Sequence, residues 1–419
     1  MGRLHRRVTS NARDAPSSGR YVGPVTRRNT PVDALVVGGG PAGLAVAATL
    51  GQRGLHALVL ERGDHVGSSW RRHYDRLHLH TPRELSGLPG LPIPKEMGRW
   101  VARDDVVRYL ELYAAHHDLD IRFGSEVVRL DRSADGHGWV VTLAGGETLT
   151  APYAVVATGF NHTPREPNVP GLQDYSGRIV LARDYRTGAD FAGNDVLVVG
   201  TGNTGTEIAV DLSEQGASRV RLAVRTVPHI QRRSSGPYAA QYGGIAIRHL
   251  PTAVADRAAA LVSRATTPDL TAYGLPRPDT GMVTRVVEDN AIPVVDVGII
   301  EAIQSRRVEP VAALTAFDGG AVVLADGSRI EPDAVVLATG YTRGLEPLLG
   351  HLGVLDEKGR PVVTGGRTDP RAKGLWFIGF SNTISGLLRE IGIDAKKIAI
   401  AMGMARQDRL RELDAAASG

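Results

Sequence analysis

Residues Ala34 to Gly43 read A-L-V-V-G-G-G-P-A-G, and residues Val196 to Gly205 read V-L-V-V-G-T-G-N-T-G. Each is a short apolar run that enters G-x-G-x-x-G and continues into an apolar stretch, the pattern of a strand, a tight turn and a helix. The three glycines have separable tasks. Gly38 and Gly200 permit the turn off the strand, Gly40 and Gly202 let backbone N–H groups approach a pyrophosphate, and Gly43 and Gly205 let the helix lie close to the sheet. Two such units on one chain predict an α/β protein with two Rossmann-like dinucleotide-binding domains, and two dinucleotides that exchange electrons.

The residue that ends the next strand separates the two sites. Leu58, Val59 and Leu60 lead to Glu61, whose carboxylate suits both hydroxyls of an unphosphorylated ribose, as in FAD. After the second turn the strand Val220 to Val224 ends at Arg225. A guanidinium there grips a ribose 2′-phosphate and stacks on adenine, which points to NADPH rather than NADH.

At 419 residues the chain exceeds what one core usually holds. It has no cysteine, which removes disulfides, thiolate metal sites and a C-x-x-C redox relay. No apolar run is long enough to span a bilayer, and a cytoplasmic protein is expected. The net charge of +4 does not argue for nucleic acid, because seven arginines and one acid fall in the first 30 residues and leave the remainder slightly acidic. We read residues 1–31 as a disordered basic tail; an organelle transit peptide is the alternative.

Residues 32–165 and 333–412 form the expected first domain, the FAD-binding one. The second, NADPH-binding domain, 172–332, is inserted into it after a proline-punctuated connector, Pro164 to Gly171. The stretch Ser385 to Met402 reads as a helix, and Leu413 to Gly419 as frayed. Each excursion ends in a similar strand and turn, V-V-A-T-G before Phe160 and V-L-A-T-G before Tyr341. The first domain is read as resuming at about Asp333.

Several stretches together resemble the flavin-containing monooxygenases, and within them the YUCCA-type branch and its bacterial relatives. They are W-R-R-H-Y-D-R-L-H-L-H-T-P-R from Trp70 to Arg83, the L-P-x-x-P run before Pro94, G-L-P-R-P at Gly274 to Pro278, P-V-V-D-V-G at Pro293 to Gly298, and L-A-T-G-Y at Leu337 to Tyr341. The resemblance covers roughly residues 32–405. It implies a monooxygenase that takes FAD, NADPH, O2 and a small organic substrate and works through an oxygen adduct at flavin C4a. The substrate expected first is an aryl 2-oxo acid such as indole-3-pyruvate. N- or S-oxygenation, Baeyer–Villiger chemistry, an NADPH oxidase releasing hydrogen peroxide, and a non-catalytic nucleotide sensor stay open, as does a homodimer. One departure stands out. In the family fingerprint F-x-G-x-x-x-H-x-x-x-(F, Y or W), Tyr175, Gly177 and Tyr185 keep their places, but the histidine position is Leu181.

The resemblance also carries site residues. His80 falls where relatives place a polar side chain near flavin N5 and C4a, and is the candidate catalytic residue; a histidine satisfying a backbone carbonyl is the alternative. Trp70 corresponds to a tryptophan closing the flavin loop, or is a core aromatic. Arg62, Val127, Ala157, Thr158, Gly159, Thr339, Gly340, Gly379 and Leu387 join Gly38, Gly40, Gly43 and Glu61 as cofactor-binding candidates. Asn203, Thr204 and Thr226 join Gly200, Gly202, Gly205 and Arg225. Arg232 and Arg233 either hold NADPH phosphates or form a solvated turn. His78 and His80 share a strand face but lack a third ligand nearby, so no metal site is expected. The apolar stretch Thr252 to Val262 reads as a lid over the substrate cavity, with a dimer contact or a membrane-surface helix as alternatives.

Overall fold

The computed structural model describes residues 31–165, 167–380 and 383–417; the basic tail before Pro31 lies outside the described residues. Runs such as A-L-V-V, A-L-V-L and Y-A-V-V carry apolar side chains on both faces, so they are stable only in a sheet covered on both sides. Such a sheet forms. Five parallel strands lie in the order Leu375–Phe377, Tyr153–Val156, Ala34–Val37, Ala57–Leu60 and Asp120–Arg122. Val36, Val59, Val155 and Trp376 face a core shared with the helices Pro41–Gly51, Arg103–His116 and Leu387–Ala417. Leu35, Leu58, Val156 and Phe377 face the other way, onto Leu130, Trp139 and Val141 of an antiparallel three-stranded sheet that lies between residues 127 and 151.

The second half repeats this plan. Its parallel strands run Glu309–Ala312, Arg219–Val224, Asp195–Val199, Ala334–Leu337 and Arg178–Leu181. Val196, Val198, Leu222 and Val336 pack with Ile208 and Leu212 of the Asn203–Glu214 helix. Leu197, Ala223, Val335 and Leu337 pack against Phe317, Val322 and Leu324 of a second antiparallel three-stranded sheet.

This repeat corrects the boundary placed at Asp333. The strand Ala334–Leu337 pairs Val196 with Ala334 and Val199 with Leu337, inside the second sheet. It holds the place that Tyr153–Val156 holds in the first sheet, so each A-T-G strand belongs to the domain that precedes it. The chain returns only beyond Leu337, where Tyr341–Thr342 pairs antiparallel with Thr163–Pro164 and the two connectors run side by side. The strands Asp120–Arg122 and Val127–Arg132 lie in different sheets, parted around Gly124 at φ +62°. The last helix continues to Ala417, well past Met402, because its N-terminal half is anchored in the core by Ile391, Ala395 and Ile398.

Three of the four fingerprint positions help hold the second domain together. Tyr175 donates its hydroxyl to the Pro332 carbonyl at 3.0 Å, and Tyr185 donates to Asp211 Oδ2 at 2.6 Å. Leu181 ends the outer strand and packs beside Phe317 and Leu337. Asp211, which is buried, also accepts from Gly188 N at 2.8 Å. Replacing Asp211 by Ala leaves two buried donors unpaired and should lower unfolding free energy by about 2–4 kcal/mol in denaturant titrations, whereas Tyr185→Phe should cost about 1 kcal/mol. A loss under about 1 kcal/mol for Asp211→Ala would show that water replaces these bonds.

Candidate functional site

Both nucleotide turns are built by the same contact. Gly38 has φ +112°, and a Cβ there would lie 2.7 Å from the Ala157 carbonyl oxygen. Gly200 has φ +121°, and a Cβ would collide with the Ala338 carbonyl. The alanine of each A-T-G strand thus presses on the first glycine of its turn, which only glycine tolerates. A Cβ at Gly43 or Gly205 would in turn overlap the carbonyl of Gly38 or Gly200, so both third glycines serve helix packing.

The two helices start from Gly40 and Gly202, neither with a side-chain cap, and a Cβ on either glycine would meet nothing within 4 Å. Uncapped first-turn N–H groups facing open space are what a pyrophosphate needs. Glu61 is buried; its Oε2 accepts from Gly39 N at 2.7 Å and its Oε1 from Gly63 N at 2.8 Å. The carboxylate is thereby fixed at the strand end with lone pairs left for ribose hydroxyls. Arg225 follows its strand directly and is exposed.

A cavity of about 710 Å³ joins the first turn to the start of the second nucleotide helix. It runs from the first turn, with Gly38, Gly40, Glu61 and Arg62, past Trp70, His80, Val127, Ala157, Thr158 and Gly159, to Gly379 and Leu387. It also reaches the start of the second nucleotide helix at Asn203 and Thr204. Gly43, Gly200, Gly202, Gly205, Arg225, Thr226, Thr339 and Gly340 are not part of its wall. Three candidates have structural partners. Asn203 bridges the Pro293 carbonyl at 3.2 Å and Val295 N at 2.8 Å, Thr339 donates to the Arg165 carbonyl at 2.5 Å, and the Thr226 carbonyl accepts from Thr201 Oγ1 at 3.1 Å.

Trp70 is half-buried, lines the cavity and packs on the first core. Arg232 donates to the Thr266 carbonyl at 2.8 Å, and Arg233 lies 4.4 Å over the Trp100 ring. Neither lines the cavity. The lid expectation is not met, because the Thr252–Thr266 helix supplies no wall residue and buries only Ala255 and Ala259. Ala240 and Gln241, at the start of the preceding short helix, take that place.

Among the described residues no backbone carbonyl pairs with the His80 ring. Its Nε2 lies 2.5 Å from Glu207 Oε1, across the seam between the halves. Burial pushes the Tyr74 phenol well above its ordinary range, and the neighbouring Glu207 carboxylate adds to the shift. Glu207 and Tyr74 were missed by sequence reasoning. The one available signal is an acid at the fifth position of a helix whose following residues, Ile208 to Val210, are buried. His78, by contrast, hydrogen-bonds the Arg76 carbonyl at 2.7 Å. No cluster of three or more potential metal ligands occurs among the described residues, and no helix among them is long and apolar enough to cross a membrane.

Residues 35–239 match a family model described as pyridine nucleotide-disulphide oxidoreductase. The chain is 37% identical over 395 residues to the indole-3-pyruvate monooxygenase YUCCA1 of Oryza sativa subsp. japonica, covering 93% of this chain and 95% of that one. The family follows from that match. The chain belongs to the flavin-containing monooxygenases, in their YUCCA-type branch. Another relative in the branch, the probable indole-3-pyruvate monooxygenase YUCCA4 of Arabidopsis thaliana, is 33% identical over 370 residues, with 87% of this chain and 88% of the relative covered. Among solved structures, a flavin-containing monooxygenase from Stenotrophomonas maltophilia superposes with a TM-score of 0.65 at 24% identity, over 88% of this chain and 98% of that one. Cyclohexanone monooxygenase with bound epsilon-caprolactone gives a TM-score of 0.69 at 20% identity, over 90% and 88%. These two support the fold of this flavin-containing monooxygenase.

Two further imidazoles line the cavity of this family member. Burial, and then the Arg186 guanidinium, hold His73 below its ordinary value of 6.5; burial and Arg62 do the same for His162. The unfolded chain therefore takes up these protons before the folded one does. Stability contributed by the neutral rings is complete above about pH 6.5 and is lost as pH falls through the lower folded values. Thermal melts should show Tm dropping on acidification to about pH 5, and His73→Gln should flatten that drop. Equal slopes for the two proteins would remove His73 from the account.

Proposed function

We propose that this flavin-containing monooxygenase binds FAD on the Ala34 to Gly43 turn, with Glu61 at the ribose, and NADPH on the Val196 to Gly205 turn, with Arg225 at the 2′-phosphate. It consumes O2 to oxygenate a small organic substrate, for which an aryl 2-oxo acid such as indole-3-pyruvate is the first choice. The reaction would convert 2-oxo acid, NADPH, O2 and one proton into the carboxylate shorter by one carbon, CO2, NADP+ and water.

The observation that carries this reading is the single cavity that runs from the first glycine turn to the first residues of the second nucleotide helix. Two carriers that exchange a hydride need such a common space, and separate pockets would forbid it. The names of the rice and Arabidopsis relatives support the choice of substrate. The disulphide half of the matched family's description has no counterpart, because the chain contains no cysteine.

FAD supplies the redox chemistry when bound, accepting hydride and then activating oxygen. The chain's own residues bind, orient and exclude water. Glu61 and the uncapped N-terminus at Gly40 fit one dinucleotide, and Gly202 with Arg225 the other. Leu79, Leu387, Leu388 and Ile391 give the cavity apolar wall between them.

Purified protein reconstituted with FAD should form indole-3-acetate and CO2 in proportion to the NADPH oxidised. NADPH and oxygen consumption that yields only hydrogen peroxide, over oxo acids, ketones, amines and thioethers alike, would overturn monooxygenation in favour of an oxidase. Arg225→Glu should shift selectivity from NADPH toward NADH by about 1–3 kcal/mol in kcat/KM, the scale of a charge-assisted pair. Unchanged selectivity would take Arg225 out of the phosphate site.

A further inference from the structure

Glu207 is a buried carboxylate that neither nucleotide turn requires. It sits in the second turn of the Asn203–Glu214 helix at 2% exposure. A carboxylate removed from water persists only where donors compensate it. Its neighbours from the other half of the protein are His80 Nε2, at 2.5 Å, and the Tyr74 phenol. Both belong to the segment that follows Trp70, and both residues line the cavity.

An ionised carboxylate only accepts. In a neutral ring the nitrogen facing that carboxylate carries the hydrogen, which leaves Nδ1 without one. The one protein hydrogen bond of His80 among the described residues is the bond from Nε2. The fingerprint position that would place an imidazole on the second domain is Leu181, which packs in the core instead. One imidazole of the first domain thus reaches across to the second at the cavity.

We infer that Glu207 is a positioning residue that fixes His80 as its Nε2–H tautomer, so that Nδ1 meets the cavity contents as a hydrogen-bond acceptor. The ligand group this selects is an N–H donor, either the carboxamide of a nicotinamide or the ring N–H of an indole. His80 then receives a hydrogen bond from the ligand and does not supply a proton to it. The choice of these two ligands rests on the function proposed above; the tautomer does not.

Histidine-selective 15N labelling of the full-length protein, with His80→Asn to identify the resonances, reads the tautomer directly. The expected wild-type ring is neutral with hydrogen on Nε2. A proton on Nδ1 in the wild type overturns the inference without recourse to any variant. Glu207→Gln, close to isosteric, can donate its amide to Nε2, and Glu207→Leu removes the acceptor. Both should abolish the pure Nε2–H form, and its persistence in both overturns the role of Glu207.

Separate titrations with NADP+ and with indole-3-acetate show which donor reaches Nδ1. A shift with either one supports the acceptor role, and a shift with neither overturns it. In Glu207→Gln the product formed per NADPH should fall about 10- to 100-fold, the scale seen when the support behind a functional imidazole is lost. Full coupling in a variant whose tautomer has switched would also overturn it. No product from wild type with the expected tautomer would sink the proposed function and leave Glu207's positioning role standing.

Discussion

A backbone carbonyl pressed against a glycine is the contact on which both halves of this protein depend. The Ala157 carbonyl lies against Gly38 and the Ala338 carbonyl against Gly200. Each contact sets how closely the return strand approaches the nucleotide strand, and hence where the chain turns off the sheet. The turn sets where the following helix begins. Because neither helix has a side-chain cap, its first N–H groups open toward the space where a phosphate belongs. Covering both faces of the sheets is the complementary requirement. It explains why each half spends a three-stranded antiparallel sheet on one face and helices on the other.

The seam between the halves is polar where the cores are not. Arg248 pairs with Glu390, Arg76 pairs with Glu214 at 2.9 Å, Gln241 donates to the Ser385 carbonyl at 2.7 Å, and Asp75 N donates to the Arg186 carbonyl at 3.0 Å. Interfaces of this kind between domains of one chain are more polar than cores and compatible with relative movement. His80 and Glu207 belong to this seam but differ in burial, since Glu207 is withdrawn from water while His80 lines the cavity.

Much of the fold was legible because parallel strands buried on both faces leave continuous apolar runs, and the glycines mark where those runs end. The strand at 334–337 was assigned to the wrong domain for a physical reason. A-V-V-L carries no trace of which sheet it joins, because hydrogen bonds to the backbone are indifferent to side-chain identity. The inserted domain therefore ends a strand later than proline and glycine punctuation suggests. The candidate lid failed similarly, since the exposed apolar residues of Thr252 to Val262 fit a cavity cover as well as an open surface, and only the packing separates them.

The sequence by itself determined the two nucleotide turns, the acid and the base that terminate their strands, and the absence of any thiol chemistry, because each is a property of local spacing or composition. Tertiary structure alone decided that one cavity runs from the first turn to the start of the second nucleotide helix, that Asn203 spends its amide on the backbone at Pro293 and Val295, and that Glu207 stands behind His80. His80 and Glu207 are 127 positions apart on different domains. Residues so placed share no periodicity, and only the docking of the two cores brings them within reach of one proton.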